Sequence, residues 1–186
     1  MMPSPSGEMT TSTEWLYANS DDDSCRFVLG TRGERPLICL GVNPSTATPQ
    51  KPDTTVSRVK GFALRNGFDS WVMLNLYPRR ATDPNRIDKT ADTALMRENL
   101  EHVEDVLSAM RRTEIWAAWG NLISSRPYFI HCLKEIHDVT ARHSCRWVQF
   151  GDNTKAGHPR HPSRLAYGCR KTDFDIGMYL DAGRAD

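Results

Sequence analysis

Two asparagines in the sequence occupy positions where an amide side chain is suited to recognise a ligand. Asn43 precedes Pro44, which keeps Asn43 out of the helical region, so the amide is held in a fixed turn. Asn75 lies within the apolar run 71–76, where a buried amide without a partner costs ~1–3 kcal/mol. An amide offers a donor and an acceptor together, which matches the edge of a pyrimidine or of another amide. The competing explanations are an Asx-type turn at Asn43 and a partner in a neighbouring loop for Asn75.

Basic side chains and a histidine follow in two loops that contain prolines. Arg79 and Arg80 are adjacent in the first loop, where guanidinium groups bind phosphate or carboxylate, or simply remain solvated. His161 lies in the second loop, and an imidazole near neutral pH can donate a hydrogen bond to a developing oxyanion. Residues 155–171 hold five lysines and arginines, two histidines and no acidic residue. This segment is either a solvated loop or a local phosphate contact.

The sequence predicts neither a metal nor an organic cofactor. The conceivable zinc ligands are His143, Cys145, His158 and His161, and their spacing fits no compact zinc pattern. The chain contains no Gly-x-Gly-x-x-Gly and no Gly-x-x-x-x-Gly-Lys-(Ser/Thr) motif, which disfavours nucleotide-cofactor folds. Nucleophilic catalysis by cysteine is also disfavoured, because only Cys169 lies in these loops and nothing around it indicates activation.

These polar segments are separated by alternating strand-like and helix-like stretches. Apolar runs predict buried strands over 37–42, 71–76, 114–119 and 146–150. Residues 14–18 and 26–29 are weaker candidates, for edge strands or a hairpin. Helical periodicity predicts helices over 54–65, over 92–112 and from about 127 to 137. The alternation is typical of a three-layer α/β domain with a mainly parallel sheet. Because ligands bind beyond the carboxyl ends of parallel strands, we expect Asn43, Asn75, Gly120 and His161 to surround one cleft.

Length and composition limit the class of protein. The chain has 186 residues, of which 39% are hydrophobic and 25% charged, as in an ordinary globular protein. We expect a flexible tail over residues 1–13, without a signal-peptide pattern, and one α/β domain over 14–186. Five scattered cysteines form no Cys-x-x-Cys pair, which favours reduced thiols and a cytoplasmic location. A formal net charge of +1 disfavours strong binding of duplex DNA, and no apolar run is long enough to span a membrane.

Taken together, the polar segments resemble domain-of-unknown-function family 1643, which is found in bacteria and phages. The resemblance spans roughly residues 26 to 167, and its name implies no activity. The segments that carry it are 41–47 (Gly-Val-Asn-Pro-Ser-Thr-Ala), 53–55 (Asp-Thr-Thr), 75–77 (Asn-Leu-Tyr), 80–84 (Arg-Ala-Thr-Asp-Pro), 118–120 (Ala-Trp-Gly) and 160–162 (Arg-His-Pro).

The same blocks, in the same order, also resemble the uracil-DNA glycosylase superfamily. That superfamily has a Gly-x-(Asp/Asn)-Pro loop after one strand and a base-reading Asn at the end of a central strand. It also has a later strand that ends in Leu-Trp-Gly, followed by a His-Pro-Ser-x-Leu segment. The matching residues here are 41–44, 74–75, 118–120 and 161–165, with Ala118 in place of the leucine. The resemblance implies a glycosylase-like α/β fold.

Roles for individual residues follow from this resemblance. Asn43 would position the hydrolytic water, Asn75 would read the pyrimidine edge, and His161 would donate to the base oxygen as the N-glycosidic bond breaks. Leu165 corresponds to the residue that fills the gap left by a flipped nucleotide. Further expected base contacts are Ser45 and Tyr77. Expected contacts with nucleic acid or phosphate are Arg79, Arg80, Ser163, Arg164 and Leu165.

The sequence departs from the glycosylase pattern in ways that affect the substrate. Ser45 stands where uracil-specific relatives have a bulky tyrosine that excludes thymine, so the pocket should leave room for substituents at the pyrimidine 5-position. The cysteines that hold an iron–sulfur cluster in some branches are missing, and the chain is nearly neutral. A modified base, a single strand and a free nucleotide therefore all remain candidate substrates.

The sequence thus predicts an N-glycosidase-type hydrolase that acts on a pyrimidine or modified base. Its expected partner is a nucleobase-containing ligand, with single-stranded or modified DNA among the candidates, and no membrane is involved. The alternative is a non-catalytic nucleobase or nucleic-acid binding module, because Asn75 and the His161 loop serve both functions. A hydrolase or transferase acting on small nucleotides is a third possibility, and its ligand binding would be insensitive to salt.

Overall fold

Seven strands form one sheet in the computed structural model, which describes residues 13–110 and 112–183. They lie side by side in the order β1-β2-β4-β3-β5-β6-β7. The strands are β1 (Trp15–Asn19), β2 (Arg26–Thr31), β3 (Pro36–Gly41), β4 (Ser70–Asn75), β5 (Thr113–Ala117), β6 (Cys145–Phe150) and β7 (Lys171–Asp173). The expected tail over residues 1–13 lies, apart from Thr13, outside the described residues.

The sheet is mixed, which corrects the expectation of a mainly parallel one. β3 pairs in parallel with β4 and β5, and β5 pairs in parallel with β6, so four parallel strands form the centre. The pairs β1–β2, β2–β4 and β6–β7 are antiparallel. The difference lies at the two edges. β1 and β2 form an antiparallel hairpin with a short connection, and β2 lies antiparallel beside β4. At the other edge, β7 returns antiparallel to β6 after the segment 151–170.

Helices cover both faces of the sheet and complete three layers. On one face, α1 (Thr54–Arg65) packs Phe62 against Trp116 of β5 and Phe150 of β6. The other face carries α2 (Thr93–Ser108), α3 (Tyr128–Ala141) and α4 (Ile176–Ala182). None of the described helices is long and apolar enough to cross a membrane.

Side-chain caps explain where the helices nearest the cleft begin. Asp53 accepts a hydrogen bond from the Val56 amide at 2.8 Å, and the predicted helix over 54–65 is confirmed as α1. Asp92 accepts from the amides of Ala94 and Leu95 and starts α2. α2 ends at Ser108 rather than at residue 112, because β5 begins at Thr113 and the chain must turn before it. The short β7 and α4 have no counterpart in the sequence prediction.

Candidate functional site

A cleft of about 990 Å³ lies at the carboxyl ends of the parallel strands. The structure brings together the four positions expected around one cleft. The lining includes Asn43 after β3, Asn75 at the end of β4, Gly120 after β5 and His161 after β6. The floor consists of the buried lining residues Arg26, Val42, Met73, Asn75 and Trp119. The exposed rim includes Thr82, Pro84, Lys155, Ser163 and Arg164.

Asn75 contributes an amide donor without a partner to this floor. The residue is 1% exposed, and its Nδ2 makes no hydrogen bond within the described part of the chain. Gly41 lies opposite in β3, where a Cβ would come within 3.3 Å of Asn75 Oδ1, so glycine leaves room beside the amide. The backbone here is held separately, because Asn99 Nδ2 donates to the Asn75 carbonyl at 2.9 Å. A ligand acceptor would therefore satisfy a group that the fold leaves unsatisfied.

Asn43 is tied into its turn through its amide nitrogen. Nδ2 donates to the Ala81 carbonyl at 2.9 Å and lies 3.2 Å from the Pro44 carbonyl. These contacts join the turn after β3 to the loop after β4, as expected for a structural asparagine. Since Nδ2 is occupied, Oδ1 is the atom left to accept a hydrogen bond from a water or ligand.

Ser45 is anchored to the start of α1 through Asp53. Its hydroxyl donates to one carboxylate oxygen of Asp53, while the other oxygen caps the helix at Val56. The Ser45 carbonyl in turn accepts from Arg80 Nη1 at 2.6 Å. Ser45 and Asp53 both line the cleft, and Asp53 is the one carboxylate on that wall among the described residues. Asp53 is not among the site residues expected from the sequence.

His161 is arranged as a neutral hydrogen-bond donor. Its Nδ1 lies 3.3 Å from the Ser163 amide, which donates to it, and 2.8 Å from the Ser163 hydroxyl. With Nδ1 accepting, the ring proton resides on Nε2. Burial lowers the pKa of His161 below its ordinary value of 6.5, although the nearby Asp53 carboxylate opposes this shift. The cleft therefore contains a neutral imidazole whose Nε2–H can donate to a ligand oxygen.

The turn at Gly120 positions the His161 loop. Gly120 has a φ of +59°, which favours glycine, and its amide donates to the Pro159 carbonyl at 2.9 Å. A Cβ at this position would lie 3.3 Å from His161 Cβ. His158 locks the same loop, because its Nδ1 lies 2.7 Å from the Tyr179 hydroxyl and its Nε2 lies 2.9 Å from the Ser124 hydroxyl. His158 is thus a structural residue rather than a ligand-binding one.

The cleft is markedly cationic although the chain is nearly neutral. Arg26 in the floor is 2% exposed and is not among the site residues expected from the sequence, where the run 26–29 indicates only an edge strand or a hairpin. Its burial, together with the repulsion from Arg80, lowers the pKa of Arg26 to about 10. Lys155, Arg160 and Arg164 add positive charge at higher positions on the wall and rim. The cleft therefore favours an anionic ligand.

Two expected site residues lie outside the cleft in the loop after β4. Tyr77 is fully buried, and its hydroxyl donates to Asp88 at 2.8 Å and accepts from the Asp92 amide. Arg79 pairs with the same Asp88 carboxylate, with Nε and Oδ2 3.2 Å apart, and contacts Ser24. Neither residue lines the cleft, so the structure does not bring Tyr77 and Arg79 together with the other residues expected in the site. Tyr77 is buried, whereas the Arg79 side chain is partly exposed, and its expected phosphate contact stays a prediction.

Arg80 and Leu165 are also committed to the fold. The Arg80 guanidinium donates to the carbonyls of Ser45 and Ala47, to the Tyr17 hydroxyl and to Asp23, so it supports the cleft wall from behind. Leu165 is 6% exposed and packs in the core beside α1. A buried leucine cannot fill a gap in a base stack, which corrects its expected role. Of the five expected nucleic-acid contacts, Ser163 and Arg164 line the cleft.

The possible metal ligands noted in the sequence do not come together as a set. His143 Nε2 lies 2.8 Å from Glu104 at the junction of α2 and α3, whereas His161 lies in the cleft. Across residues 13–110 and 112–183, no group of three or more His, Cys, Asp or Glu side chains is placed to hold a metal ion.

Comparison with known proteins identifies one family. The model of the family described as protein of unknown function DUF1643 matches residues 26–163. The matched region contains nearly the whole cleft, from Arg26 in the floor to Ser163 on the rim. No curated protein and no solved structure matches the chain.

Proposed function

We propose that this chain, which belongs to the DUF1643 family of proteins of unknown function, is an N-glycosidase-type hydrolase with a uracil-DNA-glycosylase-like fold. Its substrate is a nucleoside unit that carries a pyrimidine or modified base, within a single strand or another nucleobase-containing ligand. The observation that carries the proposal is the convergence of Asn43, Asn75 and His161 on one cleft, with the Asn75 amide donor buried and unpartnered.

Each of these residues supports a separate part of the reaction. Water adds to C1′ of the sugar as the C1′–N bond breaks, the bonding electron pair leaves with the base, and a proton from the water finally neutralises the base. Asn75 Nδ2 binds an acceptor on the base edge, and the His161 Nε2–H stabilises the oxygen on which negative charge develops. Asn43 Oδ1 and the Asp53 carboxylate are the acceptors on the wall that can orient the water. Positioning and anion stabilisation supply most of the acceleration in such a reaction.

One observation favours a second candidate function, a non-catalytic nucleobase-binding module. Asn43, which would orient water, uses its amide nitrogen to close a turn, as a purely structural residue does. Such a module retains base binding through Asn75 and His161 without turnover.

A cytoplasmic location is also part of the proposal. All five cysteines are free thiols in the structure, and Cys25, Cys39 and Cys132 are buried in the core, where no disulfide stabilises the fold. This arrangement is typical of a reducing compartment.

Base release from short oligonucleotides tests the proposal. The substrates carry uracil, 5-methyluracil or 5-hydroxymethyluracil, and the variants are Asn75→Ala and the matched Asn99→Ala. Asn75→Ala should weaken substrate binding by ~1–3 kcal/mol while hardly changing the free energy of unfolding, because its amide donor has no partner to lose. Asn99→Ala should instead lower the free energy of unfolding by ~1–3 kcal/mol, because it leaves the Asn75 and Leu76 carbonyls unpaired.

The results separate the two candidate functions. Release from at least one oligonucleotide, lost in His161→Ala, supports the hydrolase, and binding without release from any of them supports the module. Because Ser45 is small, the 5-substituted bases should be released at least as well as uracil. Ser45→Tyr should shift the preference towards uracil, whereas Ser45→Ala, which removes the hydroxyl but adds no bulk, should not.

A further inference from the structure

We infer that Arg26 binds an acidic group at the floor of the cleft, so that the preferred base carries a carboxylate. This inference rests on the proposed function for the identity of the ligand as a nucleobase. It goes beyond that function because it names a specificity residue and the chemical class of the base.

The Arg26 guanidinium is buried without a direct ion pair, and the Asp53 and Asp23 carboxylates act on it only from a longer distance. Its Nη1 donates to the Ala47 carbonyl at 3.2 Å, and its Nε is buried with no hydrogen-bond partner among the described residues. No carboxylate of the described chain lies within ion-pair distance of it. A cation removed from water is costly unless it is paired, so this arrangement suits a group that receives its anion from a ligand.

Arg80, next to Arg26, shows what a structural arginine looks like in the same place. Its Nη atoms donate to Ser45, Ala47, Tyr17 and Asp23, so Arg80 has a carboxylate partner, and it does not line the cleft. Its Nε is buried without a partner, as in Arg26, so the two arginines differ in their charge partner and in their position relative to the cleft. Because Arg80 Nη1 also donates to the Ala47 carbonyl at 3.2 Å, the hydrogen bond from Arg26 to that carbonyl is redundant for holding the loop. Support of the fold therefore does not account for Arg26.

The floor is complementary to an acceptor-only group. Its two buried polar groups without partners, Arg26 Nε–H and Asn75 Nδ2–H, are both donors. A neutral pyrimidine edge presents donors as well as acceptors, whereas a carboxylate presents acceptors alone and matches the two-pronged geometry of a guanidinium. The phosphates of a strand have the exposed cations Lys155 and Arg164 at the rim and do not need to reach the floor.

Calorimetric binding with matched pairs of bases tests the inference. The probes are uracil-5-carboxylic acid and uracil-6-carboxylic acid, each against its neutral carboxamide, which has nearly the same shape. One carboxylate should bind about 10-fold or more tightly than its amide, because only the carboxylate forms an ion pair with the guanidinium and offers it two acceptor oxygens. Arg26→Gln should bring that ratio close to one, and Arg26→Lys, which keeps the charge but not the fork, should give an intermediate ratio. Lys60→Gln, exposed on α1 outside the cleft, should leave the ratio unchanged.

Further probes distinguish a carboxylate on the base from a phosphate in the floor. Inorganic phosphate and uridine monophosphate should bind equally well to the wild type and to Arg26→Gln, because the rim cations hold the phosphate. Loss of phosphate binding in Arg26→Gln, with no preference for a carboxylate, would overturn the inference. A ratio of carboxylate to carboxamide affinity that persists in a folded Arg26→Gln protein would also overturn it. The same holds if none of the bases binds.

The outcomes also separate this inference from the proposed function. Carboxylate binding that depends on Arg26, without base release from an oligonucleotide carrying that base, leaves the inference standing and removes the hydrolase. Base release with no carboxylate preference supports the hydrolase and overturns the inference about Arg26.

Discussion

Two buried N–H donors without partners belong to residues that line the cleft. They are Asn75 Nδ2 and Arg26 Nε, whereas the other two unpaired buried N–H donors of the described residues, Arg80 Nε and Trp116 Nε1, belong to residues that do not line it. Natural cores pair almost all such groups, and only the two donors of the cleft residues are placed beside space that a ligand could occupy. His161 adds a third donor, the Nε2–H of a ring whose Nδ1 accepts from the Ser163 amide.

Protonation of His161 predicts how stability depends on pH. Burial lowers its pKa below the ordinary 6.5, a value that the residue regains in the unfolded chain. Between these two values the unfolded chain binds more protons than the folded one, so the free energy of unfolding rises with pH across the window and falls as the pH drops through it. His161→Gln should flatten this rise. Urea denaturation between about pH 5 and pH 8 measures it.

The control for this pH experiment is His158, whose pKa is also lowered by burial. His158→Gln should remove its own contribution to the rise of unfolding free energy with pH. The double variant should therefore show a flatter pH dependence than either single variant. A slope in His161→Gln identical to that of the wild type would show that His161 is not desolvated in the folded protein.

At the scale of elements, the amino-terminal end of α1 organises one wall of the cleft. Asp53 caps the helix and holds the Ser45 loop, so the start of α1 and the turn after β3 form one unit. The opposite wall depends on the Gly120 turn and the His158 contacts. Both walls are loops fixed by side chains to rigid elements, an arrangement that positions a ligand without large motions.

Asp53→Ala tests whether this cap matters for binding. The variant should lose ~0.5–2 kcal/mol of unfolding free energy, and Asp92→Ala, which removes the cap of α2, should lose a similar amount. Only Asp53→Ala should also weaken binding of uracil, because it frees the Ser45 loop. Denaturation and calorimetry on both variants make the comparison. Equal uracil affinity in the two would indicate that the loop holds its shape without Asp53.

For the molecule as a whole, the net charge is small, but positive charge is concentrated in the cleft. The net charge is +1, yet the cleft gathers Arg26, Lys155, Arg160 and Arg164 against the single carboxylate of Asp53 among the described lining residues. Such a distribution attracts an anionic ligand to one location without making the entire surface basic.

Salt dependence should reveal how many phosphates the rim holds. If the three rim and wall cations each contact one phosphate of a single-stranded oligonucleotide, the logarithm of its binding constant should fall with the logarithm of salt concentration with a slope of about −2. Lys155→Ala should reduce the steepness by about 0.7, while Lys60→Ala, exposed on α1 outside the cleft, should not change it. A slope near zero for the wild type would favour a free base or small nucleotide as the ligand.

Local patterns in the sequence determined most of the central architecture. The apolar runs placed β3, β4, β5 and β6 to within about two residues, and the periodicity over 54–65 gave the bounds of α1. Because the carboxyl ends of parallel strands meet at one edge, the same patterns predicted that Asn43, Asn75 and His161 would share a cleft. Hydrophobic periodicity is a local property that can be read without knowing the tertiary contacts, whereas the antiparallel pairs at the two edges of the sheet depend on which strands become neighbours.

Only the tertiary structure decided which polar residues face the ligand. Arg26 and Arg80 are both arginines near strand ends, and their neighbours in sequence do not show that one lies in the floor while the other holds the wall from behind. Leu165 likewise resembles an exposed wedge until its packing beside α1 is known. Burial and hydrogen-bond partners depend on segments distant in sequence, such as the Ala47 loop beside β2, and the folded chain alone brings these segments together.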